Sequence, residues 1–364
     1  MIRVLGLLLL LCLASTGEGE AAPPWNVGYR EITVQDPLTG EPFPVVLWYP
    51  TTLAASAPLF VTGALTLCRL PTILCRQIAY EMPVAPNAPV ATGGVGVIVI
   101  SHGAGGMALL HRDLAMTLAS QGYVVAAPTH ARGRGDDVSG VGVWVGRPKQ
   151  ISSVIDAVLG DGALGTHVER ERIGVVGHSN GGYTALAVAG ARPTPSAEGV
   201  HCREHPDDTN FCGFGGAATR KAAHEIGQLP ELRDARVRAV VVMAPNAVRF
   251  TDEALAKITV PVLVYAAEKD DLTRVQYHGE RLARTVPRVE CVLVKGAGHY
   301  SFVTSFPSVL RIIAGEGARD PDGFDRDAFH QVRNREIVEF FNRTLRPGGD
   351  AFAMGAQPRS CRPH

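Results

Sequence analysis

Residues 173–183 read Ile173-Gly174-Val175-Val176-Gly177-His178-Ser179-Asn180-Gly181-Gly182-Tyr183. A short β-branched run leads into Gly-x-Ser-x-Gly, and an alanine-rich amphipathic stretch, Tyr183 to Ala189, comes directly after. Strand, tight turn and helix in that order form the setting in which this pattern becomes a nucleophile elbow. Glycines at 177 and 181 allow the backbone to turn sharply, which would leave the Ser179 hydroxyl exposed at the tip. The helix start behind it favours negative charge developing nearby.

The same punctuation recurs along the chain. Continuous Val/Ile-rich runs, the signature of strands buried on both faces, occupy Val95 to Ile100, Tyr123 to Ala127, Ile173 to Val176, Val237 to Met243, Val260 to Ala266 and Val289 to Val294. Amphipathic stretches lie between them: Leu109 to Ser120, Lys149 to Leu159, Tyr183 to Ala189 and Arg274 to Thr285. That alternation predicts a mostly parallel sheet covered by helices on both faces. Upstream, Tyr29 to Val34 and Val45 to Tyr49 read as an antiparallel hairpin at the sheet edge, and Phe329 to Leu345 as a terminal helix. Residues 51–94 and 191–236 interrupt the alternation without a core of their own. They read as insertions in one domain spanning 23–364, and the second is placed to act as a lid or pocket wall.

A serine needs a base, and the base needs an acid to orient it. In a strand-elbow-helix scaffold the acid and then the base stand at the ends of later strands. Pro261 to Ala267 leads into Glu268-Lys269-Asp270-Asp271, and Val292 to Lys295 leads into Gly296-Ala297-Gly298-His299. Asp270 is the expected acid and His299 the expected base, with Asp271 and Glu268 the competing carboxylates. Asp270 would equally suit an N-cap for the segment from Leu272 onward. Acyl transfer also needs donors for an oxyanion. The backbone amide of Asn180 is one candidate. That of Ala104, in Ser101-His102-Gly103-Ala104-Gly105-Gly106 after the first central strand, is the other. Read as a dinucleotide fingerprint, Gly103-x-Gly105-x-x-Ala108 lacks the acidic residue that should close the next strand, since that strand ends in Thr129-His130.

Lysine plus arginine and aspartate plus glutamate both total 35, and hydrophobic residues make up 46%. The balance is that of a globular chain, with no basic stripe to neutralise nucleic-acid phosphates. Met1 to about Ala22 shows a single early charge, an apolar run and then small residues, the order of a cleaved export signal; its apolar run is too short for a stable membrane span. Six cysteines would remain in an exported, periplasmic or secreted chain. Proximity in sequence suggests Cys68 with Cys75 and Cys202 with Cys212, leaving Cys291 for Cys361, among fifteen possible connectivities. His201, Cys202, His205 and Cys212 are zinc-type ligands, but a Cys202–Cys212 disulfide accounts for the cysteines more simply. No cofactor or metal is expected, and oligomeric state is left open.

The chain resembles the predicted dienelactone-hydrolase group of α/β-hydrolases, relatives of the platelet-activating-factor acetylhydrolases. The matching pieces are Ser101 to Gly106, Gly122 to Pro128 with His130, Arg147-Pro148, Gly177 to Tyr183, Val260-Pro261-Val262 and Gly298 to Phe302. That resemblance implies an α/β-hydrolase fold and hydrolysis of small-molecule carboxylic esters, with short or modified acyl groups. It implies Ser179, Asp270 and His299 as the triad and the amides of Ala104 and Asn180 as the oxyanion hole. Dienelactone hydrolases carry a cysteine where Ser179 stands. An amidase or peptidase using the same triad, and a non-catalytic binding protein on the same scaffold, are the alternatives.

Overall fold

The computed structural model describes residues 25–63, 78–91, 93, 95–131, 140–213, 229–306, 315–345 and 360–364. Residues 1–22, read above as an export signal, and the expected pairing of Cys68 with Cys75 lie outside these residues.

Its frame is a ten-stranded sheet. In chain order the strands are β1 (Asn26–Gln35), β2 (Pro42–Thr51), β5 (Ala85–Pro86), β6 (Val95–Ser101), β7 (Val124–Pro128), β8 (Val168–His178), β9 (Val237–Met243), β10 (Val262–Ala267), β11 (Val289–Val294) and β12 (Arg362–Pro363). A separate antiparallel pair is formed by β3 (Leu59–Gly63) and β4 (Ile78–Met82). Across the main sheet the order is β12-β11-β10-β9-β8-β6-β7-β2-β1-β5. From β7 to β12 every neighbouring pair is parallel, whereas β2 runs antiparallel to both β1 and β7. The expected mostly parallel sheet is therefore present. Its amino-terminal hairpin is longer than the sequence indicated, and β5 lies outside it.

Alternation along a strand decides which core each side chain joins. In β6, Val97 and Val99 point into one hydrophobic cluster and Ile98 and Ile100 into the other, all four being essentially inaccessible. The second cluster takes Leu114 and Leu118 of α1 (Arg112–Ser120) and Ile337, Phe340 and Phe341 of α8 (Arg326–Leu345). The first takes the apolar stripe of α2 (Arg147–Gly160), at Ile151, Val154, Ile155 and Val158, together with α3 (Asn180–Val188). Burying each such side chain contributes roughly 1.5–3 kcal/mol, so a run of β-branched residues buried on both faces commits its segment to the middle of the sheet.

Shorter helices are α4 (Ala197–Glu204), α5 (Thr209–Gly213), α6 (Asp252–Leu255) before β10, and α7 (Gly279–Thr285) between β10 and β11. The helix expected over Arg274 to Thr285 starts only at Gly279, because the residues before it turn around Asp270. Among the described residues two disulfides join Cys202 to Cys212, linking α4 to α5, and Cys291 to Cys361, linking β11 to the carboxy-terminal residues. Among the described residues no helix is long and apolar enough to cross a membrane.

Strand order sets the location of the site. After β6 the chain steps to β7 on one side, then returns to β8 on the other. Such a switch point opens a crevice at the carboxyl ends of the two diverging strands. Ser101 at the end of β6 pairs with Gly177 near the end of β8, so the loops that leave them, 102–107 and 178–180, are neighbours.

Candidate active site

Ser179 sits at φ +56°, ψ −118°, a conformation rare for a residue with a side chain. The surroundings hold it there. Its N–H donates to the Met243 carbonyl at 3.0 Å, and its carbonyl accepts from Gly182 at 2.9 Å and Asn246 at 3.0 Å. The flanking glycines are required by close approach. A Cβ at 177 would lie 2.0 Å from the Gly181 carbonyl oxygen, and one at 181 would lie 1.9 Å from that of Ser101.

From this elbow the Ser179 hydroxyl lies 3.0 Å from His299 Nε2, and His299 Nδ1 lies 2.8 Å from Asp270 Oδ2. Asp270 is anchored on its other oxygen by the amides of Leu272 (2.9 Å) and Thr273 (2.7 Å), and on Oδ2 by the Thr273 hydroxyl (2.7 Å). The capping reading and the acid reading of Asp270 thus describe one and the same side chain. Burial pushes its carboxyl up, but the His299 charge and this set of hydrogen bonds outweigh burial and hold it far below the usual carboxylate range. The competing carboxylates point elsewhere. Asp271 is exposed and accepts from Asn210 at 2.9 Å; Glu268, also exposed, pairs with Lys295 at 2.7 Å. The structure therefore brings together Ser179, His299 and Asp270, and leaves Asp271 and Glu268 apart.

Ala104 and Asn180 both line the pocket that opens over Ser179, and neither backbone amide is hydrogen-bonded within the described residues. The apolar walls come from Leu110, Phe211, Leu272, Tyr300, Val303 and Phe306. No carboxylate, lysine or arginine lines it among the described residues. Phe211, in α5 within residues 191–236, is one of these walls. Phe211, Thr273 and Asn246 did not stand out in the sequence; only the spacing of Thr273, three residues beyond Asp270, carried a signal.

Several histidines support this region in neutral form. His178 donates from Nε2 to the His299 carbonyl at 2.9 Å. His130 accepts from the Ser101 hydroxyl at 2.8 Å and donates from Nδ1 to Gln150 Oε1 at 2.7 Å; Gln150 in turn donates to Asp36 at 2.5 Å. His111 and His278 are also buried. Burial lowers the pKa of His102, His111, His130, His178 and His278, with His111 and His278 pushed down to about 3. In the unfolded chain each would protonate near pH 6.5. Below that pH the unfolded state binds more protons, so stability is complete above about 6.5 and is lost as the pH falls, by roughly 1 kcal/mol per pH unit for each buried imidazole. Melting temperature is expected to drop between pH 7 and 5, before carboxylates titrate. A melting curve unchanged down to pH 4.5 would contradict this account.

His201, at the start of the zinc-type cluster, instead pairs through Nε2 with Asp208 at 2.9 Å, and Cys202 and Cys212 are bonded to each other.

Sheet, switch-point crevice and elbow define an α/β-hydrolase fold. A profile of the chlorophyllase family matches residues 56–196, a stretch of less than half the chain that includes the loop after β6 and the elbow. No curated protein matches. Among solved structures, a ferulic acid esterase from Streptomyces cinnamoneus is similar, with a TM-score of 0.57 over 91% of this chain and 93% of that chain, at 21% identity. At that identity the likeness is one of fold.

Proposed function

We propose that the chain is a serine hydrolase of neutral carboxylic esters, acting through an acyl-enzyme. The observation that carries this reading is the continuous hydrogen-bonded line Ser179–His299–Asp270, beside a pocket also lined by Ala104 and Asn180, whose backbone amides have no hydrogen-bond partner among the described residues. Ser179 Oγ attacks the ester carbonyl while His299 Nε2 takes its proton. Asp270 keeps the imidazole proton on Nδ1 and stabilises the imidazolium. The tetrahedral oxyanion accepts from Ala104 and Asn180 N–H. Collapse expels the alcohol, which takes the proton from His299, and water then releases the acid by the same steps in reverse.

The uncharged lining favours neutral acyl groups over anionic ones, and the resemblance to the dienelactone-hydrolase group points to short or modified acyl groups. The likeness to a ferulic acid esterase, named for ester cleavage, and the chlorophyllase match support esters over amides, as does the resemblance to the dienelactone-hydrolase group. Two disulfides accord with export, the role we assign to residues 1–22.

The test is a p-nitrophenyl ester series from acetate to palmitate, with methyl ferulate added, run beside fluorophosphonate labelling. We expect labelling of the folded protein and turnover that peaks at short acyl chains. Labelling without turnover of any ester would favour an amidase, and a folded protein that does neither would favour a binding scaffold.

A further inference from the structure

Arg147 begins α2 immediately after a π-helical turn, Gly142–Gly146, and its side chain is buried. Single π turns insert an extra residue and re-aim the side chains beyond them, often at functional sites. Here the guanidinium reaches back under the loop after β6. Nη1 donates to the His102 carbonyl at 2.7 Å and Nη2 to the Gly103 carbonyl at 3.3 Å. A fork that holds two successive carbonyls is geometry that arginine offers and lysine does not.

The Gly103 carbonyl is the significant one, because it shares a peptide unit with the Ala104 N–H. It accepts from three donors: Arg147, the Gly106 amide at 3.3 Å and His102 Nδ1 at 2.7 Å. The His102 proton is fixed on Nδ1 because Nε2 accepts from the His130 amide at 3.1 Å. Burial, and next the nearby Arg147 charge, keep His102 neutral. In a planar trans peptide the C=O and N–H point in opposite directions. Holding the carbonyl toward Arg147 therefore turns the Ala104 N–H toward the pocket. The loop there is close enough to the nucleophile that a Cβ on Gly103 would lie 3.3 Å from Ser179 Cβ. Donors on a carbonyl also polarise the peptide and strengthen its N–H as a donor.

We infer that Arg147 is a positioning residue for oxyanion stabilisation, orienting and polarising the Gly103–Ala104 peptide whose N–H meets the developing negative charge. The inference rests on the esterase reading above. Because the oxyanion charge is absent from the bound ester and develops only on the way to the tetrahedral intermediate, loss of Arg147 should act on kcat and leave KM in place.

The experiment compares Arg147→Gln and Arg147→Lys with the parent protein on p-nitrophenyl butyrate, alongside affinity for a trifluoromethyl ketone, which forms a tetrahedral oxyanion on serine. Removing one oxyanion donor costs about 100- to 1000-fold; misorienting one should cost Arg147→Gln about 10- to 100-fold in kcat. Ketone affinity should fall in parallel and KM should be unchanged. Arg147→Lys keeps the charge and one contact, and should recover part of that loss. If the glutamine variant does not fold, the lysine variant carries the test, with reduced kcat and ketone affinity at unchanged KM. A folded variant with parental kcat and ketone affinity, or with only KM raised, would overturn the inference while the esterase reading stands. Absence of Ser179-dependent turnover in the parent would overturn both.

Discussion

Replacing Ser179 by alanine is expected to lower kcat by about a millionfold, the scale on which a triad nucleophile is lost. The hydroxyl's partner is His299 Nε2, while the backbone bonds to Met243, Gly182 and Asn246 do not depend on it. Melting temperature should therefore stay close to that of the parent. Alanine retains a Cβ and so inherits the strained φ of +56°. Glycine at the same position would relieve it, and Ser179→Gly should melt higher than Ser179→Ala. Initial rates and fluorophosphonate labelling read out the alanine variant; turnover within tenfold of the parent would exclude Ser179 as nucleophile.

The second large effect is expected at Asp270, and it turns on which oxygen does what. Oδ1 accepts from two backbone amides, Leu272 and Thr273, and Oδ2 faces His299 Nδ1. In Asp270→Asn the carbonyl oxygen must stay with the two amides, so the NH2 group turns toward His299. Facing a donor, Nδ1 gives up its proton and Nε2 takes it, and a protonated Nε2 cannot accept from Ser179. Loss of the correct tautomer is worth about 10⁴ in kcat. Asp271→Asn, on an exposed carboxylate, should change kcat less than about twofold, a small effect consistent with surface substitutions. Equal effects at both positions, measured on one ester, would refute the assignment of the acid.

The fold was legible because its signals are local. Six buried strands announced themselves as Val/Ile runs, and the elbow compresses strand end, turn and helix start into a few residues. The proximity of Ser179, Asp270 and His299 came from the same logic, since each stands beyond the carboxyl end of a parallel strand. The hidden features depend on contacts distant in sequence. Arg147 carries no local mark of its carbonyl partners 44 and 45 residues upstream. Phe211 lines the pocket from α5, far along the chain from Ser179, and no local pattern announces that. The late start of α7 reflects competition: Asp270 draws the amides of Leu272 and Thr273 into a turn, and His278 is buried against Ala247 rather than capping the helix. Strand β12 could not be anticipated, for two residues have no periodicity.

That two-residue strand matters for association between chains. The outer rim of a parallel sheet is a row of unpaired amides and carbonyls ready to recruit another chain. Here β11 is covered by Arg362 and Pro363, and the His364 N–H bonds back to the Leu293 carbonyl at 2.9 Å. Strand alternation then turns the nitrogen of Pro363 outward, where it has no hydrogen to offer a newcomer. The bond between Cys291 and Cys361 secures this cover covalently, one residue before the strand begins. Its reduction would loosen the selvedge of the sheet and bare β11 as a template for aggregation, while Ser179, at the end of a strand nearer the middle of the sheet, still kept its elbow.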